Sequence, residues 1–162
     1  MPAQRIVDNL QFSYTGIIDF KRFYSELKNF WKIKDYIFVE KKHEEKINED
    51  GSRAIKLEWE CNKEVTDYAK YIFYCTIEAE KIKIIKKENF EYEYAENLKI
   101  TINGDLDIDY DKYFGNKPFD VFLRVLFEKY LVSAEVKEHK KKVSGIADEF
   151  LNIAKNLTGS YK

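Results

Sequence analysis

The stretch GDLDIDYDKYFG, residues 104–115, sets Asp105, Asp107, Asp109 and Asp111 at every second position. Alternating carboxylates have two chemical readings. In an extended chain all four leave from one face, about 6.5–7 Å apart along the strand. Leu106, Ile108 and Tyr110 then point the other way, toward a core. That describes the water-facing side of a strand. In the other reading the carboxylates hold a divalent cation weakly, completed by residues from elsewhere. A calcium loop needs a curled backbone with glycine at its sixth position and glutamate at its twelfth. Counted from Asp105, those positions are Tyr110 and Asn116. The expectation is a solvated strand face, and no metal site is assigned.

The remaining reactive side chains are few. His43 sits in the charged run EKKHEEK and reads as a solvated residue. His139 falls on the apolar seam of a helix, where a polar group more often sets register than does chemistry. Cys61 and Cys75 lie in apolar, strand-like runs. They read as buried, reduced thiols, because a zinc site would want more ligands nearby. No phosphate-binding or dinucleotide-binding glycine pattern occurs. Acids are so abundant that none stands out as a glycosidase pair. No catalytic residue and no cofactor is assigned.

The chain of 162 residues fits one domain, 1–162, long enough for a core without disulfide staples. Its formal net charge of -1 argues against a broad grip on a phosphate backbone. The basic run KEHKKK, residues 137–142, reads as an exposed helix face, with contact to RNA or the ribosome as the alternative. Aromatics beside lysine in YAKYIFY resemble base-stacking platforms, but aromatics also favour strands and fill cores. The N-terminal residues lack a signal-peptide pattern, and no run reaches the ~20 apolar residues of a membrane span. The expected location is cytoplasmic.

The elements that position these residues follow from periodicity. RIVDNLQFSY reads as a first strand. In residues 19–34, Phe20, Phe23, Tyr24, Leu27 and Trp31 share one helical face, with Asp19 as N-cap. From Tyr36 the period falls to two. Asp50-Gly51 marks a hairpin. Ile55, Leu57, Trp59 and Cys61 alternate with polar residues in the next strand. Tyr71, Phe73, Cys75, Ile77 and Ala79 share a face in a long strand, whose phase slips past Glu80 as a bulge would make it. FEYEYA and then ENLKITINGDLDIDYD complete the strands, the latter with a kink expected at Gly104. Residues 116–157 read as helix, starting at Pro118. Unbroken, 119–157 would run roughly 58 Å, so a bend near Ser133 or Ser144-Gly145, or a projecting end, is expected.

This is an α+β pattern: a curved antiparallel sheet of about six strands, one helix after the first strand, and a long C-terminal helix. The order resembles the helix-grip architecture of the START, Bet v 1 and polyketide-cyclase superfamily, over nearly the whole chain. That resemblance implies a sheet wrapped on the last helix with an apolar cavity between them. Two departures are visible: no glycine-rich loop, and one long helix where the family often has two short ones. The segments FSYTG, EVTDYAKY and FLRVLFEKY are similar to a group of uncharacterised small archaeal proteins, which implies an archaeal, cytoplasmic protein and brings no activity.

The functional expectation is a non-enzymatic binding protein that holds a hydrophobic small molecule or lipid between sheet and C-terminal helix. Trp59, Phe73, Phe122 and Leu126 are the expected cavity walls. The alternative is an interaction module in which Val136, His139, Val143 and Phe150 pair the last helix with a second copy or another protein.

Overall fold

Two-residue turn chemistry sets the hairpins. At residues 88–89, Glu88 and Asn89 both take left-handed backbone angles, with φ of 55° and 69°. That is the turn that joins twisted antiparallel strands most directly. It connects β4 (Ala69–Lys87) to β5 (Phe90–Ile108), pairing Lys87 with Phe90. FEYEYA is therefore continuous with the strand that follows, and the sheet has five strands. Asn48 to Ser52, with Gly51 at φ 88°, joins β2 (Ile37–Ile47) to β3 (Arg53–Glu64). With β1 (Gln4–Ile17), the strands form one open antiparallel sheet in the order β1-β5-β4-β3-β2. The computed structural model describes residues 3–108, 117–126 and 132–159.

One sheet face carries the core. Ile55, Leu57, Trp59 and Cys61 of β3 lie beside Tyr71, Phe73, Cys75, Ile77 and Ala79 of β4, all buried. The phase slip past Glu80 is shared by two strands. Ala79 pairs with Leu98 and Ile82 with Ala95, all buried, while the β4–β5 register stays continuous. Both strands turn over together there, with Asn97 at φ 54°. The outer neighbours absorb the mismatch through register shifts between Arg53 and Ile55 and between Tyr14 and Gly16. Such shifts increase local twist and bend the sheet.

α1 (Phe20–Ile33) and α3 (Val132–Gly159) cover this face. The Asp19 side chain accepts from the Arg22 amide at 3.2 Å, capping α1. Phe20, Phe23, Leu27, Phe30 and Trp31 are buried beneath it. The C-terminal helical region comprises α2 (Pro118–Leu126) and α3, and α3 runs through Ser144 and Gly145 without interruption. Val143, Ala147, Phe150, Leu151 and Ala154 form its buried stripe. The Trp31 ring meets Phe30, Tyr36, Phe73 and Phe150 at centroid distances of 4.9, 5.1, 5.0 and 5.3 Å. Aromatic rings thus fill the space between sheet and helices.

The aspartate ladder is only partly the wet face expected of it. Asp105 does point away from the core side marked by Gly104 and Leu106, yet it is 8 % exposed. Arg5, its partner across β1, covers it with an ion pair, and the Arg5 guanidinium lies 5.8 Å from the centre of the Tyr74 ring. Asp107 is half-buried. Asp109 and Asp111 lie outside the described residues. Among the described residues no group of three His, Cys, Asp or Glu side chains is placed to hold a metal ion. Cys61 and Cys75 are free and buried. No helix among the described residues is long and apolar enough to cross a membrane.

Candidate functional site

The largest cleft described lies where the end of the sheet meets α3, with a volume of about 500 Å³. Its walls come from several elements, and each is placed by local chemistry. Tyr36 is positioned by the way α1 ends. The Tyr36 amide donates to the Trp31 carbonyl at 3.0 Å, and the Asp35 amide to the Lys32 carbonyl at 3.1 Å. Asp35 sits between them in the left-handed region, at φ 63°. This is a Schellman ending, which brings the first residue beyond the turn against the helix's last core residue. Here that contact is Trp31 against Tyr36.

Lys63 closes another side. It ends the core-facing row of β3, opposite Tyr71 on β4. Its ammonium donates to the Lys34 carbonyl at 2.8 Å, satisfying an acceptor freed by the helix end, and lies 5.8 Å from the Tyr36 ring centre. Val65 is held by the β3–β4 connection, whose amides bond the Ala69 carbonyl. From α3 come Lys142, Gly145, Ile146 and Glu149, spaced by three and four residues on one helical face. Gly145 leaves the wall open: a methyl group there would meet nothing within 4 Å.

The charge of this cleft is lopsided. Three ammonium groups, Lys34, Lys63 and Lys142, line it against one carboxylate, Glu149. Lys34 lies 3.3 Å from Glu149, and Lys142 reaches Glu138 at 3.5 Å, an exposed pair on the same helix. At the inner end, the Tyr71 hydroxyl and His139 Nδ1 hydrogen-bond at 2.6 Å. Burial, with Glu138 adding to it, pushes the Tyr71 phenol up to about 12. Burial, aided by Lys142, lowers the His139 imidazole below its ordinary value, so it is neutral near pH 7. Burial likewise raises the Tyr36 phenol. Both phenols therefore remain proton donors. The cleft offers cations at its edge and ring and aliphatic surface on its walls, with the Tyr71 hydroxyl buried at its inner end.

The structure separates the residues singled out from sequence. Trp59 and Phe73 are buried on the inner sheet face, at 2 % and 0 % exposure. Phe73 packs on Trp31, and the Trp59 indole donates to Glu40 at 2.9 Å. Phe122 and Leu126 are exposed on α2, so they form no common wall with Trp59 and Phe73. On α3, Val136 is half-buried, His139 bonds Tyr71, and Val143 and Phe150 are fully buried. The seam is thus used inside the chain, because the sheet and α1 supply the apolar surface that a partner was expected to supply. Within 137–142, Lys137, Lys141 and Lys142 are exposed while His139 turns inward.

The sequence reading missed Tyr36, Lys34 and Lys63. No spacing rule joins a helix end to a strand end. Asp35 was the available signal, since aspartate is one of the few residues that visit the left-handed region in which this helix ends. No family model, curated protein or solved structure matches the chain.

Proposed function

We propose that the chain is a cytoplasmic binding protein of helix-grip type. It would hold a small amphipathic molecule with an acidic group in the cleft between the sheet and α3. The observation that carries this reading is the cleft of about 500 Å³ with three lysines over an aromatic and aliphatic floor. Its size falls in the ordinary range of small-molecule sites. The acidic head would meet Lys34, Lys63 and Lys142, and the hydrocarbon or ring would lie on Tyr36, Tyr71, Val65 and Ile146. The ligand envisaged enters at the rim and not the centre, where aromatic rings already pack.

Calorimetric titration with dodecanoate and with dodecanol tests the reading. Dodecanoate should bind and the alcohol should bind at least ~10-fold more weakly, since a charge-assisted contact is worth roughly 1.5–3 kcal/mol. Gly145→Trp should block binding by filling the cleft, and a thermal melt checks that it folds, as expected where a Cβ meets nothing within 4 Å and a helix favours Trp over Gly. Equal affinity for acid and alcohol, or unchanged binding in Gly145→Trp, would refute the site.

A second reading, an interaction module, draws support from α2. Phe119, Phe122 and Val125 are 68 %, 56 % and 51 % exposed on that short helix. A group of exposed apolar side chains is a common mark of an interface. Light scattering of the wild type beside Phe122→Glu decides it: a dimer mass that falls to a monomer supports the module, and a monomer in both removes self-association.

A further inference from the structure

A second cleft, of about 420 Å³, opens between α1 and the β2–β3 hairpin and is lined by Phe20, Lys21, Tyr24, His43, Glu45, Arg53 and Glu93. It contains the chain's other histidine, in a setting that simple alternation does not anticipate. By alternation, Glu40 and His43 belong on opposite faces of β2. The β2–β3 register shifts between Glu40 and Lys42, however, so Glu40 pairs with Trp59, His43 with Leu57 and Glu45 with Ile55. Those three partners all face the core. The irregularity therefore brings Glu40, His43 and Glu45 to one side of the strand, beneath α1.

Glu40 is a built acceptor. Its Oε2 takes hydrogen bonds from the Tyr24 hydroxyl at 2.8 Å and the Trp59 indole at 2.9 Å, and its Oε1 lies 2.9 Å from His43 Nδ1. Burial pushes the Glu40 carboxyl up, but the bonds from Tyr24, His43 and Trp59 outweigh burial and hold it below its usual value. An ionised Glu40 keeps the proton on Nδ1, which leaves Nε2 as the basic atom. Nε2 lies 3.4 Å from Glu45 Oε1, a long contact between exposed side chains that an entering water can replace. The Arg53 guanidinium is engaged with Glu93 at 2.7 Å. Lys21 lines the same cleft and has no ion pair among the described residues. The arrangement is an oriented base, a cation and two aromatic rings around one opening.

We propose that the α1–β2 cleft hydrolyses small carboxylic esters, with His43 as general base and Glu40 as its positioning residue. His43 Nε2 takes a proton from water as the water oxygen bonds the carbonyl carbon. Lys21 faces the oxygen that becomes negative. The tetrahedral adduct then collapses with rupture of the carbon–oxygen ester bond, and the imidazolium returns the proton to the departing alkoxide. An acid and an alcohol result, and nothing is oxidised or reduced. Phe20 and Tyr24 supply the surface for the acyl chain. This activity is independent of the lysine-lined cleft beside α3.

The test is release of nitrophenolate from 4-nitrophenyl butyrate, measured against free imidazole at the same concentration. Wild-type turnover should exceed that background by about 100-fold, and His43→Gln should return to it, as expected for a lost general base. The rate should rise with pH through the His43 midpoint read from its imidazole resonances in the wild type, a measurement that needs no variant. Glu40 and Glu45 of β2 and Tyr24 of α1 contact that imidazole, and Lys21 of α1, Arg53 of β3 and Glu93 of β5 are the other titratable groups that line its cleft. Glu40→Gln should lower the rate and move the midpoint to lower pH, while Lys137→Gln, at an exposed position on α3, should leave both unchanged. A wild type no faster than imidazole, a His43→Gln variant as fast as wild type, or a rate that does not follow the His43 midpoint would each overturn the proposal.

Discussion

Gly104 on β5 faces Val143 on α3 so closely that a methyl group at Gly104 would come within 2.9 Å of Val143 Cγ1 and 3.1 Å of Phe73 Cε1. The glycine is required by this approach and not by a left-handed backbone, and the β1–β5 register shifts on both sides of its pairing with Val7. Sheet and helix are in direct contact there. Gly104→Ala should therefore destabilise the fold by about 1–3 kcal/mol through overpacking. Val143→Ala in that background should recover part of the loss, and a double-mutant cycle by urea unfolding measures the coupling. Additive losses would mean that the two side chains do not compete for the same space.

Tyr71 and His139 form a buried polar pair beside the same contact. Tyr71→Phe leaves the imidazole without this partner and should cost about 1–3 kcal/mol. The pH dependence has a definite sign. His139 has a lowered pKa in the folded state, so its neutral form is favoured there. Its contribution is complete above the unfolded value of about 6.5 and is lost as pH falls from there through the folded value. His139→Gln should thus show a smaller drop in urea midpoint between pH 7 and pH 5 than the wild type. Parallel curves would show that His139 is not a source of acid lability.

Phe150 lies at 0 % exposure among Trp31 and Phe30. Phe150→Ala should cost about 3–5 kcal/mol, the usual result of emptying a large aromatic site. Denaturant titration gives the figure. A cost below ~1 kcal/mol would place this ring outside the core.

Cys61 and Cys75 sit on adjacent strands, both buried. Burial, with Cys61 adjacent, raises the Cys75 thiol well above its ordinary value. Neither thiol should react with an aromatic disulfide reagent in the native protein, and both should react once urea unfolds it. Rapid native labelling would mean that the inner sheet face is open to solvent.

His43 has the opposite linkage to His139. The hydrogen bond to Glu40, with Glu45 assisting against some burial, raises its pKa. Its contribution is complete below about pH 6.5 and fades as pH rises through the folded value. The pair is half-exposed and screened, so Glu40→Gln should flatten the stability curve on the alkaline side only slightly. Imidazole resonances of His43 in both proteins check the direction; an unchanged midpoint would detach His43 from Glu40.

How far the chain could be read without coordinates is clearest at particular residues. The alternation of Ile55, Leu57, Trp59 and Cys61 placed β3 and its buried face correctly, because a period of two admits one pleat phase. Asp19 as cap and the stripe from Phe20 to Trp31 did the same for α1. Phe122 and Leu126, expected as cavity walls, are exposed on α2, because an apolar run shows that surface must be covered, not which element covers it. Val143 and Phe150 carry the same signal, and β5 and α1 cover them within the chain.

Local order along the chain was enough to establish the α+β class, the antiparallel sheet with its covering helix and most of the elements, though it divided β5 in two. Side-chain period, caps and turn residues act over a few neighbouring positions, and the sequence displays those neighbours directly. Tertiary structure alone decided the two clefts. One register slip between Glu40 and Lys42 carried His43 onto the face of Glu40. A left-handed Asp35 brought Tyr36 and Lys34 to Lys63 and α3. Both depend on how strands and helix ends meet across long separations in sequence, where packing and hydrogen-bond satisfaction choose among partners that periodicity leaves equivalent.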